Sequence, residues 1–336
     1  MRIGLTYDLR DDYLRAGFAE EDTAEFDQVG TIDVIDSCLS ELGYQTDRIG
    51  RLSSLVERLA RGDQWDLVFN IAEGMYGMAR EAQVPALLDA YQIPYTFSDP
   101  VVLGLTLHKG LTKHVLRDLG LRSAPFAVIE SLADLPRVDL RLPLFVKPIG
   151  EGTGKGIDAT SKVISSNHFE RKVKELLARF CQPVLVEEYL PGREFTVGLL
   201  GTGPCARAIG ALEIVLNDAA ESEVYSYKNK EYCEELVTYR LVDDSLAREA
   251  CALALDCWRA LGCRDAGRID LRTGADGRVY LLEVNPLAGM HPQHSDLPIL
   301  WAMTGGRYVD LIRNILESAF QRSGTRKTAT KAIPSR

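Results

Sequence analysis

The chain has 336 residues, 46% of them hydrophobic and 26% charged, an ordinary globular composition in a chain too long for one core, so two or three domains are expected. A formal net charge of −9 argues against nucleic acid or a membrane surface as partner, since both need a basic footprint. No apolar run reaches the ~20 residues of a membrane-spanning helix, and the opening MRIGLTYD enters a strand at once, unlike a signal peptide.

In chain order, the first hundred residues alternate strand and helix. RIGLTYD reads as a strand, 27–42 as a helix, TDRIG as a strand, 53–61 as a helix, DLVFNIA as a buried strand and AQVPALLDAYQ as a short helix. This βαβα rhythm implies a parallel sheet flanked by helices, with ligands at the carboxyl ends of its strands. Those ends are Tyr7-Asp8 and the loop NIAEGMYGMARE, where Glu73 is a candidate substrate residue. From 100 to 120 the pattern is helical. Strands follow near 125–129, 144–147, 184–188 and 194–200 with one long helix at 166–180, an α+β pattern with antiparallel strands. The last part holds a strand at 206–214, a polar loop at 217–235, a helix at 245–261 and a hairpin at 267–286. The domains expected are 1–100, 101–200 and 201–320, and QRSGTRKTATKAIPSR, 321–336, reads as a disordered tail. Seven cysteines without a C-x-x-C read mainly as reduced core residues of a cytoplasmic protein.

The hairpin GRIDLRTGADGRVYLLEVNP carries the strongest chemistry. With Gly274 to Gly277 as its turn, Thr273 pairs with Arg278, Asp270 with Leu281 and Arg268 with Glu283. Side chains alternate along a strand, so Arg268, Asp270, Glu283 and Asn285 share one face and Ile269, Leu271, Leu282 and Val284 the other. Two carboxylates, an amide and a guanidinium on one face favour a metal–phosphate site over a solvated ion pair. LFVKPIGEGTGKGI, 144–157, puts Lys147 before a loop of four glycines that lets backbone N–H groups approach a phosphate. It matches neither the P-loop nor the dinucleotide fingerprint, and alone reads equally as a flexible hairpin. VLVEEYLPGREFTVGLL, 184–200, offers Glu187, Glu188 and Glu194 around a Pro-Gly turn, as adenine and ribose require, though by itself it suits a solvated hairpin better. VYSYKNKEY, 224–232, is a lysine-bearing loop able to close as a lid.

In this order the pieces resemble the ATP-grasp superfamily, most closely the D-alanine–D-alanine ligases, over residues 1 to about 318. VEEYLPGREFTV and GRIDL…YLLEVNPLAGM are the most specific parts. The resemblance implies the ATP-grasp fold behind an N-terminal parallel-sheet (pre-ATP-grasp) α/β domain. It implies an ATP- and Mg²⁺-dependent carboxylate–amine ligase that works through an acyl phosphate and releases ADP and phosphate. Matched by motif, Lys109 and Lys147 contact the α- and β-phosphates. Glu187, with the backbone of Glu188 and Leu190, reads adenine; Tyr189 packs beside the ring and Glu194 binds ribose. Lys230 is the lid lysine. Asp270, Glu283 and Asn285 hold two Mg²⁺ ions, or Mn²⁺ in their place, and Arg268 and Gly289 serve the transferring phosphoryl group and the acyl phosphate. A homodimer acting on amino acids or small carboxylates is expected.

The substrate end departs from that family. Thr153 and Gly154 replace a serine pair, Glu231 replaces the lid tyrosine, and YDLRDDYLRAGFAEEDTAEFD replaces a glycine-rich loop, leaving Glu25 or Asp27 to meet the first substrate's amine. PLAGMHPQHSDLP puts His291, His294 and Ser295 in the acceptor pocket, where the histidines line it or deprotonate the amine rather than bind metal. Lys155 and Glu231 are expected to latch the lid. These changes predict substrates other than two D-alanines. A true D-alanine–D-alanine ligase, a small-molecule kinase and an ATP-binding regulator are the alternatives. The retained Arg268 argues against the regulator, and phosphate release that requires an amine separates ligase from kinase.

Overall fold

The computed structural model describes residues 1–221 and 224–324. Three sheets build it. The first joins β1 (Arg2–Thr6), β2 (Gln45–Gly50) and β3 (Leu67–Asn70) in parallel, in the order β2-β1-β3. All four residues of β3 are buried, as in a sheet covered on both faces. The helix Val29–Glu41 lays Ile32, Ile35 and Leu39 on this sheet, and the C-terminal helix Tyr308–Ser323 packs into the same core through Leu311, Ile312, Ile315 and Leu316.

The second sheet contains β4 (Phe126–Ile129), β5 (Leu144–Pro148), β6 (Lys162–Val163) and β7 (Val184–Glu188), antiparallel in the order β4-β7-β5-β6. The helix Ser166–Phe180, begun by Ser165, whose hydroxyl accepts from the His168 amide, buries Val173 and Leu176 in its core. The third sheet contains β8 (Glu194–Leu200), β9 (Arg207–Leu216), β10 (Val237–Val242), β11 (Ala266–Thr273) and β12 (Val279–Asn285), antiparallel in the order β10-β9-β8-β11-β12. The helix Ser245–Ala260, capped by Asp244, covers its apolar face with Leu253, Cys257 and Trp258.

Several expectations need correction. The helical stretch 100–120 is two helices, Pro100–Leu107 and Lys109–Asp118, because His108 leaves helical geometry and its Nδ1 accepts the Leu111 amide. That break lets the Lys109 amide reach the Ile149 carbonyl and aims the side chain at the glycine loop. A division at 200/201 is not a sheet boundary, since β8 lies in the middle of the third sheet. The polar segment 217–235 includes the short helix Tyr227–Glu231, and β10 after it was missed: its burial is irregular, with no clean alternation to read. The helix Tyr308–Ser323 runs past 320, and the rest of the expected tail, 325–336, lies outside the described residues. All seven cysteines are free, but Cys181 and Cys205 are exposed rather than core residues.

Candidate active site

The hairpin β11–β12 forms one wall of a cleft between the second and third sheets. Its ladder pairs Thr273 with Val279 and Leu271 with Leu281, then slips by one residue, pairing Asp270 with Glu283 and Arg268 with Asn285. The expected partners are therefore wrong by one near the turn and by two at the site. The slip is a bulge at Leu282. Without it Asp270 would face Leu282 and Glu283 would turn into the core. With it the four polar groups share a face as expected, but Leu282 joins them and lines the cleft, while Ile269, Leu271 and Val284 pack in the core.

Asp270 accepts from the Thr196 hydroxyl at 2.8 Å and from the Arg268 guanidinium, and the Asn285 amide lies 3.4 Å away. Glu283 lies 3.5 Å from Lys109 Nζ. Burial alone would raise its pKa, but Lys109, Lys230, Lys147 and Arg268 outweigh that and hold the carboxyl far below the usual range. Among the described residues no three His, Cys, Asp or Glu side chains cluster as a self-sufficient metal cage. Two carboxylates and an amide beside lysines fit instead a hard cation that keeps water and phosphate oxygens among its ligands.

Across the cleft stand β5 and β7. Ala124, Phe145, Ile157, Leu190 and Leu282 make apolar walls suited to a flat base. Glu187 is buried at the back, its two oxygens 2.6 Å from Lys113 Nζ and 3.0 Å from Lys147 Nζ. Glu188 lines the cleft, but its amide donates to the Pro125 carbonyl and its carboxylate accepts from the Arg141 amide, so only other atoms of this residue remain for a ligand. The Tyr189 ring packs between Lys162, 4.4 Å from its centroid, and Arg272 at 5.0 Å. Arg272 also reaches Glu194, 3.3 Å away. Lys230 of the lid lines this cleft and a second chamber behind it.

That chamber, open to solvent, is lined by the N-terminal segment, the segment 224–232 and the loop after β12. It brings together Glu25, Asp27, Arg268, Gly289, His291, His294 and Ser295, whereas Glu73 does not line it. Burial and the nearby Glu81 and Glu25 push the Glu73 carboxyl well above its usual range. Glu25 is fully engaged. It accepts from Arg80 at 3.1 and 2.9 Å and from the Gly152 amide at 2.7 Å, with Lys155 at 3.4 Å. Burial opposes its ionisation, yet Arg80 and Lys155 keep its pKa low. It therefore clasps the first segment to the glycine loop instead of waiting for an amine. Among the described residues Asp27 has no such cation partner; burial and Asp8 raise its pKa to about 7.

His291 Nδ1 accepts the amides of Gln293 and His294, and the two rings lie 4.7 Å apart with His294 3.5 Å from Glu234. Ser295 Oγ accepts the His291 amide at 3.0 Å, and a Cβ on Gly289 would meet that oxygen at 2.7 Å, so a larger residue there would displace the hydroxyl. The expected Lys155–Glu231 latch is not formed: Lys155 pairs with Glu151 at 2.7 Å, and Glu231 pairs with Arg10 at 3.1 Å. The lid docks instead by backbone, with the Tyr227 amide donating to the Ile157 carbonyl at 3.2 Å.

Sequence reading missed Lys113, Thr196, Arg272 and Asp296. Lys113 lies four residues after Lys109, one turn along the same helix face, and Arg272 continues the alternation of Arg268 and Asp270, so both had a local signal. Thr196 and Asp296 had none, since their partners are distant in sequence.

The family described as "D-ala D-ala ligase C-terminus" matches residues 115–317. The D-alanine–D-alanine ligase of Bordetella petrii is 35% identical over 289 residues, covering 85% of this chain and 82% of that protein. That of Cupriavidus metallidurans is 35% identical over 272 residues, covering 80% and 79%. The structure of the D-alanine–D-alanine ligase from Bacillus anthracis complexed with ATP matches 96% of this chain and 99% of that one, with a TM-score of 0.72 at 21% identity, a likeness of fold. Fold and cleft thus define an ATP-grasp enzyme, an ATP-dependent ligase that forms carbon–nitrogen bonds. Within that class, the chain belongs to the D-alanine–D-alanine ligase family.

Proposed function

We propose that this ligase joins two different small substrates, at least one of them an amino acid with a charged or larger side chain, rather than two D-alanines. A substrate carboxylate attacks the γ-phosphorus of ATP, ADP leaves, and the resulting acyl phosphate is opened at carbon by an amine that displaces phosphate. Lys147 and Lys109 bind phosphate oxygens, Glu187 with the free backbone atoms of Glu188 and Leu190 holds the base, and Glu194 binds the ribose. Arg268 grips the transferring phosphoryl group, and Lys230 brings charge from the lid. Two divalent ions, Mg²⁺ or Mn²⁺, held by Asp270, Glu283 and Asn285, would supply charge neutralisation, which is most of what phosphoryl transfer needs.

The substrate reading rests on the chamber lining. Arg10, Asp27 and the His291–His294 pair line this chamber, and an alanine's methyl group offers these charged and polar groups nothing to bind. The second reading, a true D-alanine–D-alanine ligase, is favoured by relatives of that name at 35% identity. Amino acids tested singly and in pairs for ADP release, with products identified by mass, separate the two. The expected outcome is a mixed dipeptide or amide, with phosphate released only when an amine is present. Efficient, saturable D-alanyl-D-alanine synthesis at sub-millimolar D-alanine would refute it, and phosphorylated substrate without amide would make the chain a kinase.

A further inference from the structure

Asp296 opens the helix Asp296–Met303, where an aspartate ordinarily does no more than complement the helix dipole. Its surroundings are different. It is buried, it lines the substrate chamber, and its Oδ2 lies 3.7 Å from Arg268 Nε. Arg268 therefore stands between two carboxylates, Asp270 on the metal side and Asp296 on the chamber side. The other charged or titratable groups facing Asp296 are Asp270 on β11, Lys230 and Tyr225 from the segment 224–232, Cys233 at the start of the following helix and Tyr239 from β10. Burial raises its carboxyl above the usual range although Arg268 opposes this, which suits a group that must take up a proton.

The histidines of the same wall are poorer bases. Nδ1 of His291 is occupied by two backbone amides, and burial with the adjoining His294 lowers its pKa. The His294 side chain is 44% exposed and turned to Glu234.

We propose that Asp296 receives the ammonium group of the incoming amine substrate and takes one proton from it, acting only in the second half of the reaction. This rests on the ligase reading above. The ammonium gives one proton to the Asp296 carboxylate, and the freed nitrogen lone pair forms the bond to the acyl carbon. The carbon–oxygen bond to phosphate breaks with its electron pair on oxygen, the nitrogen's second proton leaves with the phosphate, and Asp296 returns its proton to solvent.

Hydroxylamine, largely unprotonated at neutral pH, traps the acyl phosphate without needing a base, and so separates the two halves. In Asp296→Asn, ATP-dependent hydroxamate formation should persist near the wild-type rate. Amide formation with the acceptor amino acid from the pairwise screen should fall by about 10²–10⁴-fold and recover as pH rises. Asp296→Glu should restore part of it. In the wild type, the acidic limb of the kcat/KM profile should appear with the acceptor amino acid and vanish with hydroxylamine, a readout that holds even if the Asn variant does not fold. Equal loss of hydroxamate and amide would overturn the assignment by showing that Asp296 only positions Arg268, as would amide formation unchanged in Asp296→Asn or the same acidic limb with both nucleophiles. A wild-type chain that forms hydroxamate from no carboxylate would overturn the ligase reading itself.

Discussion

Asp270 and Glu283 face each other across one ladder, and each is matched by a cation, Arg268 for the first and Lys109 for the second. Removing either negative charge without changing shape should leave the fold intact and remove a charge on which phosphoryl transfer depends. Asp270→Asn and Glu283→Gln should each lower ADP release by roughly 10²–10³-fold while the far-UV circular dichroism spectrum at about 25 °C stays that of the folded chain. Unchanged turnover at limiting Mg²⁺ would remove the metal assignment. Asp27 makes a second prediction at this scale. Its folded pKa of about 7 lies above the ordinary 3.8, because of burial first and Asp8 second. Between those values the folded chain keeps a proton that the unfolded chain releases, so this group's stabilisation is full below about pH 4 and lost as pH rises through about 7. Asp27→Asn cannot ionise; urea unfolding should find it more stable than wild type at about pH 8 and equal at about pH 4.

At the scale of elements, the lid and glycine loop meet through backbone. Gly154 has φ +75°, and a Cβ there would lie 2.9 Å from the Tyr227 nitrogen. Gly154→Ala should therefore strain the loop and push the lid away, raising KM for ATP roughly tenfold, the equivalent of ~1.4 kcal/mol, while the circular dichroism spectrum stays unchanged. Faster protease cleavage within 217–235 would accompany it; wild-type KM and cleavage would show that the lid does not depend on this contact. The hairpin shows how far element-level reading reaches. Period-two alternation placed Arg268, Asp270, Glu283 and Asn285 on one face correctly, yet with the wrong partners, because a bulge leaves the face unchanged while shifting the register. Nothing in RVYLLEVN marks Leu282 as the extra residue. The bulge is set by where β11, already paired with β8, and the turn at Gly274 to Gly277 hold the two strands.

Across the whole molecule, Asp265, just before β11, ties the third sheet to the N-terminal region and to the helix Tyr308–Ser323. It is fully buried and accepts from the Phe97 amide at 2.8 Å, the Ser318 hydroxyl at 2.8 Å and Arg322 at 2.9 Å, while Arg322 also donates to the carbonyls of Tyr95 and Phe97. Arg322→Met would leave a buried carboxylate without its cation. It should cost about 3–5 kcal/mol in urea unfolding, with nucleotide affinity retained at temperatures where the variant is folded. A loss under ~1 kcal/mol would show that the neighbouring hydroxyls and amide suffice alone.

Sequence by itself determined the strands and helices that bury an apolar stripe and the polar face of the hairpin. Each depends on spacings within a few residues, where alternation or a helical turn fixes which side chains face together. Only the tertiary structure decided which charges those groups meet. Glu25 is spent on Arg80 and Gly152, Glu231 on Arg10, and Glu187 on Lys113 as well as Lys147. Asp296, unremarkable as the first residue of a helix, comes to lie beside Arg268 in the chamber. Those pairs span from 28 to 221 residues of chain, as Arg268 with Asp296 and Arg10 with Glu231 show. At such separations no local pattern carries the information, because it is the packing of three sheets that brings one carboxylate and one cation out of many within reach of each other.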